Sequence, residues 1–132
     1  MDACFVDTSG WYDLLFAGSP EHDRIKKLLD EPSLRLVTST YVLDELASLI
    51  MSRKDHHTAA QVGAHIRAAA EVQVEHPDAA EERRAWALFL DRPDKHYTLT
   101  DCLSFVMMRR LQLTTALATD HHFRQEGFQT VP

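Results

Sequence analysis

No apolar run in this 132-residue sequence approaches the roughly 20 residues that span a bilayer, so no membrane segment is expected. The opening residues, MDACFVD, lack a basic region and pass straight into a strand-like run, so no export signal is expected either. Cysteine is scarce. Cys4 and Cys102 stand in apolar surroundings without ligand spacing, which reads as buried thiols in a cytoplasmic protein. Net positive charge is missing too. The formal balance is -6 with histidine neutral, which argues against a nucleic-acid binder built on a broad basic surface. It leaves room for an enzyme whose metal ions neutralise an acidic centre while a few arginines hold phosphates. No low-complexity stretch, linker or internal repeat interrupts the sequence, and residues 1–132 are read as a single domain.

What is present is alternation. Ala3–Val6 is a short apolar run ending at Asp7, as a buried strand would be. Residues 11–16 read as helical, and Ser19, Pro20 and Glu21 open another helix with a cap and a proline in its first turn. That helix is expected to run through Ile25, Leu28 and Leu29 and to stop before Pro32. A strand over 34–37 precedes a helix from Ser39 or Thr40 that carries Val42, Leu43, Leu46, Leu49 and Ile50 at helical spacing. Residues 58–70 predict a helix and 72–74 a short strand. Residues 77–90 predict a helix with Ala85, Leu88 and Phe89 inward and Glu81, Glu82, Arg83 and Arg84 more exposed. Beyond Pro93, 98–111 is a strongly apolar helix, 115–119 a strand ending at Asp120, and 128–131 a last strand after a helical turn. Strands alternating with helices predict an α/β protein whose parallel sheet is covered on both faces.

Four acids fall where such a fold does chemistry. Asp7 and Asp120 each follow the end of an apolar strand, and open parallel sheets bind ligands outside the carboxyl ends of their strands. Each could equally cap the helix that follows. Asp101 lies in the first turn of a helix entered through Thr98 and Thr100, where an acid complements the helix dipole with no catalytic duty required. Glu45 discriminates better. It lies three residues after Val42 and four before Leu49, on the apolar stripe of its helix, whereas Asp44 falls on the polar side. A core-facing glutamate is costly unless it is protonated, paired with an arginine or bound to a metal, and the ligand reading is favoured. Four carboxylates at one sheet edge repel one another unless cations sit between them. Hard oxygen ligands suit Mg²⁺ or Mn²⁺. Such ions can clamp a phosphodiester, lower the pKa of an attacking water and stabilise the leaving oxygen. No nucleophilic side chain is then needed, and no serine or cysteine lies in an activated setting.

The stretches FVDTSGW at 5–11, TSTYVLDELASLI at 38–50, YTLTDCLSF at 97–105 and ALATDHHF at 116–123, in this order and separation, resemble the PIN-domain family along almost the whole chain. The resemblance implies a Rossmann-like three-layer α/β/α sandwich, a homodimer, and Mg²⁺- or Mn²⁺-dependent hydrolysis of RNA. The family's acidic set falls on Asp7, Glu45, Asp101 and Asp120. Its small hydroxyl residue falls on Thr8, which could orient Asp7 or a metal-bound water. Compact relatives are commonly VapC-type toxins, neutralised by an antitoxin that covers the acidic pocket. Some relatives carry a further acid two residues beyond the fourth. Here that position is His122, a departure that bears on the second metal site and is compatible with one tightly held ion plus one recruited with substrate.

Other features have plainer readings. The doublets His56–His57 and His121–His122 lack the further ligands a zinc site needs and read as solvated, although the second adjoins Asp120. The pairs Arg53–Lys54, Arg83–Arg84 and Arg109–Arg110 read as solvated faces, and Trp11, Tyr12 and Phe16 as core or dimer interface. Too few exposed aromatics are inferred for a base-stacking platform. Two competitors remain. A phospho-receiver domain would want paired acids after its first strand and a late lysine, but Thr8 and Ser9 follow Asp7 and no lysine follows Lys95. A non-catalytic PIN-fold binding or oligomerisation module would have no need to keep all four acids.

Overall fold

The structure, a computed structural model, describes residues 2–30 and 33–132. Cys4, Phe5 and Val6 are buried one after another, as in a strand covered on both faces. They form β1 (Ala3–Val6), which pairs in parallel with β2 (Arg35–Ser39) on one side and β4 (Thr115–Leu117) on the other. The outer strands are β3 (Val72–Glu75) beside β2 and β5 (Gln129–Val131) beside β4, both parallel, giving the order β3-β2-β1-β4-β5. Two helices, α1 (Thr8–Leu15) and α2 (His22–Leu28), lead from β1 to β2, and α3 (Thr40–Arg53) and α4 (His56–Ala68) lead from β2 to β3. The chain then crosses the sheet through α5 (Ala79–Asp91) and α6 (Leu99–Arg110) to β4, and α7 (His122–Gln125) joins β4 to β5. Crossovers between parallel strands are right-handed, so this reversal of direction places helices on both faces. The expected three-layer sandwich is therefore present, with a wholly parallel sheet. Its strand order differs from the 2-1-3-4-5 of flavodoxin-like sheets.

The reversal falls between β1 and β4, and that point is where open α/β sheets bind ligands. Asp7 leaves the carboxyl end of one strand and Asp120 follows the other. Gly10 makes their approach possible. A Cβ there would fall on the carbonyl oxygen of Leu117, so only glycine lets α1 lie this close to β4. The Leu117 carbonyl also accepts the Asp7 N–H at 3.1 Å.

Local chemistry sets the helix starts. The Ser39 hydroxyl accepts the Val42 N–H, Asp55 accepts that of Thr58, and Asp78 with Glu81 and Thr98 with Asp101 form reciprocal capping boxes. Three expectations need correction. Ser19 and Pro20 form a turn ahead of α2, with the Ser19 carbonyl accepting the His22 N–H, and Glu21 stands at the N-cap without a side-chain bond. That helix ends at Leu28, and Pro32 lies outside the described residues. Along α5 the inner face runs through Glu81 and Ala85, while Phe89 turns outward and stacks on Trp86. Glu81 is 2% exposed because Arg110 donates Nε to it at 2.7 Å. Arg109 and Arg110 are exposed, as expected, but paired: Arg110 also holds Glu75, and Arg109 holds Glu126. Cys4 and Cys102 are buried free thiols as expected, pushed up to about 12 and about 11 by desolvation. No helix among the described residues is long and apolar enough to cross a membrane.

Candidate active site

Asp7 stands at the N-cap position of α1 in extended conformation, yet its side chain makes no capping bond. It is 2% exposed. Its Oδ2 accepts the Ser9 hydroxyl at 3.2 Å, and its Oδ1 is buried without a partner. Such an orphaned carboxylate oxygen is expensive unless something the protein does not itself supply satisfies it. Desolvation, reinforced by the charges of Asp101, Asp120 and Glu45, holds the Asp7 carboxyl well above the usual carboxylate range.

The other three acids converge on it. Glu45 comes from the middle of α3 and is half-buried, beside the core positions Val42 and Leu46. Its partner is Thr8, whose hydroxyl donates to Oε1 at 2.5 Å, and not an arginine. Burial raises its carboxyl, and Asp101 and Asp120 add to that. Asp101 is buried at the first turn of α6, where its Oδ2 accepts the Thr98 N–H and His122 Nδ1, both at 2.9 Å. Burial raises it as well, with Asp120 adding and His122 opposing. Asp120 follows β4 and accepts the His122 N–H on Oδ1 at 3.0 Å. The four expected acids thus share one electrostatic neighbourhood at the sheet's switch point, brought together from α1, α3, α6 and the end of β4.

Each carboxylate spends one oxygen on a protein donor. The second oxygen, Oδ1 of Asp7 and Asp101, Oε2 of Glu45 and Oδ2 of Asp120, has no donor among the described residues. As placed, no three Asp, Glu, His or Cys side chains among the described residues stand close enough to hold one ion. The chemistry of the set nevertheless fits a hard divalent cation. It offers four oxygen donors, one of them buried and orphaned, and among the described residues no arginine or lysine forms an ion pair with any of them.

Three supporting residues went unrecognised in the sequence. Ser9 donates to Asp7 and accepts the Thr119 N–H at 3.1 Å, joining the ends of β1 and β4. Gly10 admits the helix. His122 is not a solvated histidine, since it contacts Asp101 and Asp120 and packs edge-on against Tyr97. Thr8 binds Glu45 rather than Asp7. The sequence signals were a run of small residues, TSG, after the first acid, and a histidine two residues beyond the fourth, where some relatives carry a further acid.

The PIN domain family model matches residues 4–128. The chain is 36% identical over 127 residues, 96% of each chain, to the 23S rRNA-specific endonuclease VapC20 of Mycobacterium tuberculosis, strains CDC 1551 / Oshkosh and ATCC 25618 / H37Rv. The crystal structure of Mycobacterium tuberculosis VapC20, a sarcin-ricin loop cleaving toxin, matches with a TM-score of 0.87 at 35% identity over 95% of both chains. Two more distant structures share the fold. VapBC-1 from nontypeable Haemophilus influenzae has a TM-score of 0.70 at 16% identity, over 98% of this chain and 96% of that one. VapBC2 from Rickettsia felis, bound to a DNA fragment from their promoter, has 0.69 at 13%, over 98% and 97%. With the family pattern running through residues 4–128 and this degree of identity to a VapC toxin, the chain belongs to the PIN-domain family, among its VapC-type members.

Proposed function

We propose that this chain is a metal-dependent endoribonuclease that hydrolyses RNA phosphodiester bonds and serves as the toxin of a toxin–antitoxin pair. The observation that carries this reading is the convergence of Asp7, Glu45, Asp101 and Asp120 at one sheet edge, with the buried Oδ1 of Asp7 unpartnered. Identity of 36% to a 23S rRNA-specific endonuclease supports RNA as substrate and makes structured ribosomal RNA the first to try. An acidic pocket repels a phosphodiester, so this substrate and this site are compatible only with cations between them. The free oxygens of the four acids would hold Mg²⁺ or Mn²⁺, which when bound supplies Lewis-acid activation of water and stabilises charge on the phosphate.

The chain's own residues prepare the site. Ser9 holds one oxygen of Asp7 and leaves the other buried and unpartnered, Thr8 fixes Glu45, and Thr98 fixes Asp101 from its own helix start. No side chain here is set up to form a covalent intermediate, and the family resemblance implies a 5′-phosphate and a 3′-hydroxyl as the products of attack by water. A 2′,3′-cyclic phosphate would mean attack by the RNA's own 2′-hydroxyl and would remove the hydrolytic mechanism. An antitoxin partner fits the toxin–antitoxin assemblies named for two structural neighbours. We place a homodimer contact on the exposed apolar stripe of α5, formed by Trp86, Phe89 and Leu90. Action on ribosomal RNA implies the cytoplasm.

The direct test incubates purified protein with labelled structured RNAs, 23S rRNA fragments included, in Mn²⁺, Mg²⁺ or EDTA. Cleavage in metal and none in EDTA is expected. No cleavage in any of them would turn the reading to a non-catalytic PIN-fold module. Growth arrest on expression of the wild-type chain, but not of Asp7→Asn, separates a toxin from a housekeeping nuclease.

A further inference from the structure

One residue outside the acidic set touches two of its members. The backbone N–H of His122 donates to Asp120 Oδ1 at 3.0 Å, and its ring Nδ1 lies 2.9 Å from Asp101 Oδ2. When Asp101 is ionised, as a metal ligand must be, it can only accept, and the tautomer that satisfies the contact carries its proton on Nδ1. The ring is not free to wander. It is 20% exposed and packs edge-on against Tyr97, with centroids 5.6 Å apart, and Tyr97 in turn packs edge-on against the buried Phe105 at 4.9 Å. Asp101 Oδ2 is consequently held from two directions, by Thr98 in its own helix and by His122 from α7. Oδ1 takes no donor among the described residues.

We propose that His122 is a positioning residue for the nuclease centre: its Nδ1–H and backbone N–H lock Asp101 and Asp120 with one oxygen of each turned to a divalent cation. The proposal rests on reading the four acids as the ligand set. A donor from outside the ligand shell fixes a ligand's orientation and removes the cost of ordering it on binding, and losing such donors weakens metal sites by about 10–100-fold. His122 is thereby distinguished from His121, which is exposed and touches neither acid through its ring.

The test titrates the metal-stripped protein with Mn²⁺ alone, counting free Mn²⁺ by electron paramagnetic resonance, for the wild type, His122→Phe and His122→Asn. Phenylalanine keeps the packing on Tyr97 and the backbone N–H but has no ring donor. Asparagine gives up the packing and keeps an N–H donor near the position of Nδ1. Mn²⁺ affinity is expected to fall on the order of 10–100-fold in His122→Phe and to recover most of that loss in His122→Asn, while thermal unfolding of metal-free His122→Phe stays close to wild type. A role in packing alone predicts the reverse ranking. Undiminished Mn²⁺ affinity in His122→Phe, equal losses in both variants, or no Mn²⁺ binding by the wild type would overturn the proposal. Wild-type protein that binds Mn²⁺ in the expected ranking yet cuts no RNA would sink the ribonuclease reading and leave this inference standing.

Discussion

Asp7 sits where a helix cap belongs, yet its side chain makes no capping bond, and an amide in its place would still offer an acceptor oxygen to Ser9. Its carboxyl is held far above the ordinary range by burial and by Asp101 and Asp120, and those of Glu45 and Asp101 are raised as well. Acids that bind protons more tightly in the folded state give stability that is fully present below their unfolded pKa of about 4 and is lost as pH rises through the raised folded values. Metal-free protein should therefore weaken as pH climbs from about 4 toward neutrality, and Asp7→Asn should remove much of that slope. The expected outcome is a metal-free Tm above wild type at neutral pH, a gap that narrows toward pH 5, and cleavage reduced roughly 100-fold or more. A lower Tm at neutral pH would make Asp7 a structural residue. Thr98→Ala should behave oppositely in the metal-free protein, losing about 1 kcal/mol with the α6 capping box. At this scale Asp7, Asp120 and Glu45 were legible because strand ends and an apolar stripe are local signals, whereas Asp101 read locally as a first-turn helix acid and joined the set through the family resemblance. Ser9 and His122 were not legible, because the partners that define them arrive from 110 and 21 residues away.

Elements meet here through a few contacts that no local pattern announces. Gly10 looks like any helical glycine until β4 is laid beside it. In Gly10→Ala the new methyl meets the Leu117 backbone, which cannot swing aside as a side chain can, so a loss of about 1–3 kcal/mol is expected. Cleavage should fall with it, because α1 carries Asp7 and Thr8. Urea unfolding checks the first effect, and an unchanged midpoint would show that α1 can move off the sheet cheaply. Glu81 makes the opposite case. It was read as an exposed charge, since glutamate in a run of EERR ordinarily faces water. Arg110 reaches it from α6 while also binding Glu75 at the end of β3, and that pairing turns α5 over. Glu81→Gln should cost about 2 kcal/mol, in the range of a charge-assisted hydrogen bond with a partly exposed partner, and leave kcat unchanged. The element order was readable throughout. The facing of α5 was not, because an apolar residue does not say whether its cover belongs to its own chain.

Across the whole molecule, a formal charge of -6 means that two copies repel at a distance and can associate only where little charge is brought together. The α5 stripe presents apolar side chains flanked by exposed charges of both signs, Glu82 and Arg83 one turn before Trp86. Trp86 is 52% exposed and stacks on Phe89, and Leu90 is 60% exposed. Large apolar side chains standing side by side in water mark contact surfaces more often than chance. A two-fold contact places the same residue in the interface twice. Replacing an aromatic anchor costs about 2 kcal/mol per copy, so Trp86→Glu should cost about 4 kcal/mol of association and weaken the dimer on the order of a thousand-fold. Sedimentation at micromolar concentration should show a wild-type dimer and a Trp86→Glu monomer that still binds Mn²⁺ as the wild type does, because the stripe lies on α5 and none of the four acids does. A monomeric wild type would mean that this surface is covered by something other than a second copy. An unchanged dimer in the variant would move the contact elsewhere on the molecule.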